Sequence, residues 1–344
     1  MKTYCKYGSH RVISPKGALP QAAEKIDNTM TLYPNEVLID VTTLNIDSAS
    51  FHQIKEACNH DKDAMKNMIL DIVAMKGKMQ NPITKSGGML IGEIRQVGAD
   101  FHNQTLTPNT KIATLVSLSL TPLMIDEIID INLSNEQVTI KGKAILFDSG
   151  LYAELPHDLD EKLALAALDV AGAPAQVRKL AKKGDTVFIL GAAGKSGLLC
   201  AYEAKKQVGQ KGKVIGLVNE TPQVDFLKAF DVCDEILFGD ALNALAVYEA
   251  VSDVTDGKLA DLTINVVNVE NTEMTSILST KDEGTVYFFS MATSFTKAAL
   301  GAEGVGKDVN MIIGNGYTKN HALITLDLLR ENKQIRDAFS KKYI

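Results

Sequence analysis

Seven small or polar residues between two hydrophobic runs carry the most explicit chemistry in this 344-residue chain: Gly191, Ala192, Ala193, Gly194, Lys195, Ser196 and Gly197. Side chains of this size permit a tight turn and let backbone N–H groups approach a pyrophosphate. A helix that starts at the loop directs its positive end at the same anion. Thr186 to Leu190 before the loop reads as a strand, Leu198 to Val208 after it as a helix, and Val214 to Val218 as a second strand. That strand–helix–strand context makes the loop a dinucleotide site rather than a chance glycine pattern. The ending Gly194-Lys195-Ser196 imitates a triphosphate loop, but too few residues separate it from Gly191 to wrap a triphosphate. At the tip of the second strand a carboxylate would accept from both ribose hydroxyls. Asn219 stands there with Glu220 after it, so either can read the ribose, and NAD and NADP both stay open. Asn268 and Ser290, with Thr293, follow later strands at the ends where α/β proteins bind ligands, although Ser and Thr are also common turn residues there.

The elements that must position these residues alternate. Strands are predicted at 235–238, 262–267, 285–289 and 309–313, with a helix at 241–255 between the first two. Alternation of this kind predicts an α/β fold with a doubly wound, mainly parallel sheet. Before about residue 160 the character differs: 37–44, 89–97, 111–116 and 143–147 are β-rich and broken by turn formers, which predicts a mixed β domain. One helical insertion, 50–78, sits among them, and its Met65, Met68, Ile69, Ile72 and Met75 read as core packing.

Composition removes several classes. Lys plus Arg number 36 and Asp plus Glu 42, a net charge of −6 with no dense basic block, so no nucleic-acid partner is expected. The N-terminus lacks the apolar core of a signal peptide and no stretch is apolar enough to span a bilayer, so no membrane partner and a cytoplasmic location are expected. Cys5, Cys58, Cys200 and Cys233 fall at no C-x-x-C spacing and read as reduced thiols, and Cys58 with His60 lacks the further partners of a metal pair.

Taken together the motifs resemble the medium-chain dehydrogenase/reductase superfamily. Leu90 to Gly98 (LIGEIRQVG) looks like its G-x-V-x-x-V-G segment, Lys183 to Gly194 (KGDTVFILGAAG) like its glycine-loop strand, and Phe230 to Ile236 (FDVCDEI) like its "lGAdevi" turn. The resemblance covers about 36–330. It implies a GroES-like β domain, 1–160 plus 315–344, joined to a Rossmann domain, 161–314, and a homodimer paired through the strand at 309–313. Within the superfamily the whole chain is most similar to a lysine-fermentation branch. That branch oxidatively deaminates (3S,5S)-3,5-diaminohexanoate to 5-amino-3-oxohexanoate and ammonia with NAD or NADP.

Departures from the zinc-dependent branch bear on the mechanism. Where that branch has its first Cys ligand this chain has Asp47, where it has G-H-E this chain has Gly87-Gly88-Met89, and its third ligand corresponds to Asp169. Two Asp with a Gly between them do not supply three zinc ligands, so no metal is expected. The resemblance places Asp47 and Asp169 where the metal would be and suits an ammonium substrate, one as general base and the other as anchor of the distal ammonium. Either could instead be a turn or helix cap, Asp169 before a helix near Ala173 and Pro174. His52 matches the superfamily's proton-relay histidine, or is a solvent-facing helix residue. Arg11, Lys76 and Arg95 are available for the substrate carboxylate. The rival readings are a zinc-free quinone or enone reductase and a non-catalytic nucleotide sensor.

Overall fold

The computed structural model describes residues 4–290, 292–314 and 316–343. Met291 within the predicted 290–293 loop, and Asn315 and Ile344 at the bounds of the predicted C-terminal segment, lie outside the described residues. The chain forms two compact units, 1–161 and 162–344.

The first unit is built on an antiparallel six-stranded sheet. Its strands are β3 (Glu36–Asn45), β4 (Met89–Val97), β5 (Lys111–Thr114), β6 (Leu123–Asn132), β7 (Gln137–Phe147) and β8 (Tyr152–Glu154), in the order β6-β7-β3-β4-β5-β8. A two-stranded ribbon, β1 (Val12–Ser14) with β2 (Lys25–Ile26), precedes it. The predicted insertion is two helices, α1 (Ser48–Ala57) and α2 (Lys62–Lys76). Met65, Ile69 and Ile72 enter the core as read from their spacing, whereas Met75 is 63% exposed.

The second unit holds the parallel sheet. Its strands are β9 (Thr186–Leu190), β10 (Lys213–Val218), β11 (Glu235–Phe238), β12 (Ala260–Asn265), β13 (Thr280–Phe288) and β14 (Asn310–Ile313). They lie in the order β11-β10-β9-β12-β13-β14, so the direction of winding reverses between β9 and β12, and α/β folds bind ligands at such a switch point. The helices are α3 (Glu161–Leu168), α4 (Gly172–Leu180), α5 (Lys195–Val208), α6 (Thr221–Lys228), α7 (Ala244–Val254), α8 (Glu273–Leu278), α9 (Phe295–Val305), α10 (His321–Glu331) and α11 (Lys333–Tyr343).

The C-terminal helices depart from expectation. Instead of completing the β unit, α10 packs on α4 and α5, and Leu326, Leu328, Leu329 and Phe339 are buried within the second unit. Lys206 on α5 pairs with Glu331, and the buried Glu203 carboxylate takes Arg178 of α4 at 2.8 Å, so charge as well as apolar surface fixes this helical layer. Among the described residues no helix is long and apolar enough to cross a membrane.

Candidate functional site

The glycine loop folds as its residue types require. Gly191 turns the chain at a φ of 84°, in the left-handed region that glycine adopts without strain. Gly197 is the tightest point: a Cβ there would sit 2.1 Å from the Gly191 carbonyl oxygen, so only glycine lets α5 begin this close to the strand. Gly194 is the N-cap of α5 and no side chain caps the helix, which leaves its first N–H groups to the loop's mouth. Ala192 and Ala193 are buried beneath the turn, while Gly191 and Gly194 line its open face.

That face belongs to a cleft of about 330 Å³ at the carboxyl ends of β9 to β12. Asn219 and Gln223 border it beside β10, Asp240 beside β11, and Val267 and Asn268 beside β12. The Asn219 backbone N–H donates to Gln223 Oε1 at 3.3 Å, which couples the tip of β10 to the first turns of α6. Glu220 starts α6 and does not line the cleft, so of the two ribose candidates Asn219 is the one on its wall. Gln223 and Asp240 escaped sequence reasoning because each follows its strand by a few residues with no motif to mark it. Ser290 lies outside the cleft wall; its N–H donates to the Asn265 carbonyl at 3.4 Å and its hydroxyl accepts from Ala292 N–H at 3.2 Å.

Asn265 is fully buried at the end of β12 and holds this rim together. Its amide donates to Thr272 Oγ1 and Ser276 Oγ, both at 2.9 Å, and its Oδ1 accepts from Val267 N–H at 3.3 Å. The strand end, the cleft loop after it and α8 are thereby tied by one side chain.

Asp169 caps no helix. It follows α3, and its carboxylate receives Lys195 Nζ at 2.7 Å, so it is committed to the first residue of α5 beside the glycine loop. The N-cap of α4 is Ala171, which makes no side-chain cap bond.

In the first unit Asp47 is the N-cap of α1. Its Oδ1 accepts from Ser50 N–H at 3.0 Å and from the Ser86 hydroxyl at 2.9 Å. Its Oδ2 is buried and, among the described residues, without a hydrogen-bond partner. The cap reading accounts for Oδ1 and leaves Oδ2 over. Behind Ser86 stand two further hydroxyls: Ser50 Oγ lies 2.9 Å from Ser86 Oγ and 2.6 Å from Thr84 Oγ1. A Cβ at Gly88 would meet the Asn45 carbonyl oxygen at 2.1 Å and Asp47 N at 2.7 Å, so this backbone admits no side chain at the position that corresponds to the zinc branch's His. His52 is exposed on α1. His60 pairs with Glu56 one helical turn back, and Cys58 is the buried C-cap of α1.

The cations offered for a substrate carboxylate are largely spent. Arg11 is buried and gives Nε and Nη2 to Glu36 at 2.6 and 2.7 Å and further donors to the Thr29 and Thr31 carbonyls. Burial alone would raise the Glu36 carboxyl, but the Arg11 and His10 hydrogen bonds outweigh it and hold that carboxyl below the usual carboxylate range. Arg95 pairs with Asp40 across β3 and β4. Lys76 sits in the last turn of α2, against the negative end of that helix. Burial pushes the Cys200 thiol up and the Cys233 thiol up to about 12, which keeps both as unreactive packing residues.

Residues 10–156 match the L-erythro-3,5-diaminohexanoate dehydrogenase N-terminal domain family. The chain is 60% identical over 341 residues to an L-erythro-3,5-diaminohexanoate dehydrogenase of Acetoanaerobium sticklandii, covering 99% of each sequence. It is 58% identical to one of Fusobacterium nucleatum subsp. nucleatum, covering 100% of each. Among solved structures it resembles a mycobacterial protein complexed with NADPH, with a TM-score of 0.54 at 15% identity over 94% of this chain and 86% of that one. At that identity the likeness shows the fold alone.

Proposed function

Because the chain belongs to the L-erythro-3,5-diaminohexanoate dehydrogenase family, we propose that it oxidises the C3 amine of (3S,5S)-3,5-diaminohexanoate to a ketone and releases ammonia. The observation that carries the reading is the divided carboxylate of Asp47. A buried carboxylate oxygen without a donor is costly, and an alkylammonium supplies what it lacks. Ser50 and Ser86 hold Oδ1 and thereby aim Oδ2. The Asp47 carboxylate binds the C3 ammonium at Oδ2, orients it, and takes its proton there, since hydride leaves C3 only once the nitrogen has a lone pair to assist it. Hydration of the resulting iminium and loss of ammonia complete the conversion. Asp169, held by Lys195, is a positioning residue for the glycine loop in this reading.

A nicotinamide cofactor supplies the hydride acceptor. The cleft fits the nucleotide end of such a group: the loop admits backbone-close approach at Gly191 and Gly194, and Asn219 stands where a ribose would be read. No Lys or Arg is among the residues that line the cleft, and Asp240 places an acidic group on its wall, where a 2′-phosphate would be repelled. NAD is therefore the cofactor in our reading. The site of action is the cytoplasm, in lysine fermentation. The working form is a homodimer: β14 is an edge strand, and Phe295 at 69%, Leu300 at 62% and Ile313 at 59% exposure present apolar surface that a second copy would cover.

Initial rates of NADH and ammonia formation test the activity. Equal amounts of both from 3,5-diaminohexanoate, with NAD well preferred over NADP, support the reading. Reduction of a quinone with no turnover of the diamine would overturn it in favour of a quinone reductase.

A further inference from the structure

The loop that carries Ser86 is fixed with unusual thoroughness for an exposed segment. Asn81, which is fully buried, accepts Ile83 N–H at 2.8 Å and Thr84 N–H at 3.2 Å on Oδ1, and gives its amide to Gln53 Oε1 at 2.7 Å. Its backbone N–H donates to the Ser86 carbonyl at 3.0 Å, which closes the loop. Within it Lys85 is held at a φ of 62°, a left-handed conformation that a side chain makes unfavourable and glycine would adopt freely. Both of its backbone groups are pinned there: its N–H donates to the Asn81 carbonyl at 2.9 Å, and its carbonyl accepts from Gln80 Nε2 at 3.2 Å. Its side chain is exposed, and among the described residues no carboxylate pairs with it. The next residue in the chain, Ser86, donates to Asp47.

A cationic residue whose backbone is strained and pinned next in the chain to the residue that aims Asp47 has a chemical counterpart in the substrate. The molecule Asp47 would receive carries a carboxylate two bonds from C3, and that anion needs a cation of its own once it leaves water. Arg11 and Arg95 are committed to Glu36 and Asp40. Lys78 is buried, with Nζ donating to the Pro20 carbonyl at 2.6 Å. We propose that Lys85 binds the substrate's C1 carboxylate, and that the 81–86 loop is rigid because it must hold this cation and Asp47 in register. The proposal rests on Asp47 as the partner of the C3 amine. It makes Lys85 the residue that distinguishes a β-amino acid from a simple diamine.

The test compares 3,5-diaminohexanoate with pentane-2,4-diamine, which keeps both amines and lacks the carboxylate. The full-length enzyme is assayed as wild type, Lys85→Met, Lys85→Gly and Lys85→Arg, with competitive inhibition by the diamine replacing turnover if it is not oxidised. The wild type should favour the acid, and Lys85→Met and Lys85→Gly should each cut that preference roughly 30-fold, mainly through KM, while Lys85→Arg restores most of it. The glycine variant relieves the left-handed backbone, so a loss of preference in a protein at least as stable as wild type points to the charge and not to folding. Unchanged preference in both neutral variants would overturn the proposal. Asp47→Asn separates the two readings: if it leaves the oxidation of both compounds intact, the role of Asp47 fails, whereas the preference ratio reports on Lys85 alone.

Discussion

Gly197→Ala is the sharpest probe of the nucleotide cleft. The added methyl carbon would stand 2.1 Å from the Gly191 carbonyl oxygen and 2.7 Å from both the carbonyl carbon and Cα of Ala192. Ordinary contact begins at 3.4 Å, so the shortfall exceeds an ångström, and every atom met is backbone that no rotamer change can move aside. Either α5 or the glycine turn must shift by about that amount. A displacement of roughly 1 Å in a positioning element costs on the order of 100-fold, and here the loss should appear in cofactor affinity. NADH binding followed by fluorescence titration gives the number directly. Gly304→Ala is the matched control, since a Cβ there meets nothing within 4 Å. Thermal unfolding of both variants shows whether the fold has survived. If Gly197→Ala binds NADH within about threefold of wild type, the loop does not cradle the cofactor as argued.

Three further outcomes follow from the same structure. Burial lowers Lys78 from 10.5 to about 8, so between those pH values the unfolded chain binds the proton that the folded chain has released. Stability must therefore rise with pH across that window by up to about 3 kcal/mol, with the gain absent below pH 8, and Lys78→Met should flatten the rise in urea unfolding measured from pH 7 to 10. Arg11→Met takes the guanidinium from the buried Glu36 carboxylate and leaves it only His10 and the Tyr33 N–H, which should cost roughly 3–5 kcal/mol by the same assay. Asp169→Asn breaks a half-exposed pair with Lys195 and should change diamine turnover by no more than about threefold; a loss of orders of magnitude would return Asp169 to the reaction itself.

How much of this was legible in the sequence depends on how local each feature is. The β9–loop–α5–β10 unit could be read because the turn, helix start and strands are consecutive and glycine is the residue each close approach demands. Strand β6 escaped because it is the edge of its sheet and carries Asp126, Glu127 and Asp130, charges that guard an edge and disguise a strand. The place of the C-terminal helices is not legible in the sequence, because nothing in their own residues shows that α4 and α5 offer them an apolar face. Asp47 and Asp169 looked equivalent as sequence positions. What separates them is long-range: Lys195 reaches Asp169 across 26 residues, and Ser86 reaches Asp47 across 39, leaving one carboxylate paired by a cation and the other with a buried oxygen to spare.

The central claim is that Asp47 handles the proton of the reacting amine, and Asp47→Asn addresses it with little structural disturbance. Asparagine is as good an N-cap as aspartate, and its Oδ1 can keep the bonds from Ser50 N–H and Ser86, so α1 should form unchanged. What it removes is the acceptor at Oδ2. Single-turnover formation of NADH from 3,5-diaminohexanoate should slow by roughly 1,000-fold, with NADH affinity and thermal stability at wild-type values. Turnover within a few-fold of wild type in a folded Asp47→Asn protein would contradict the account.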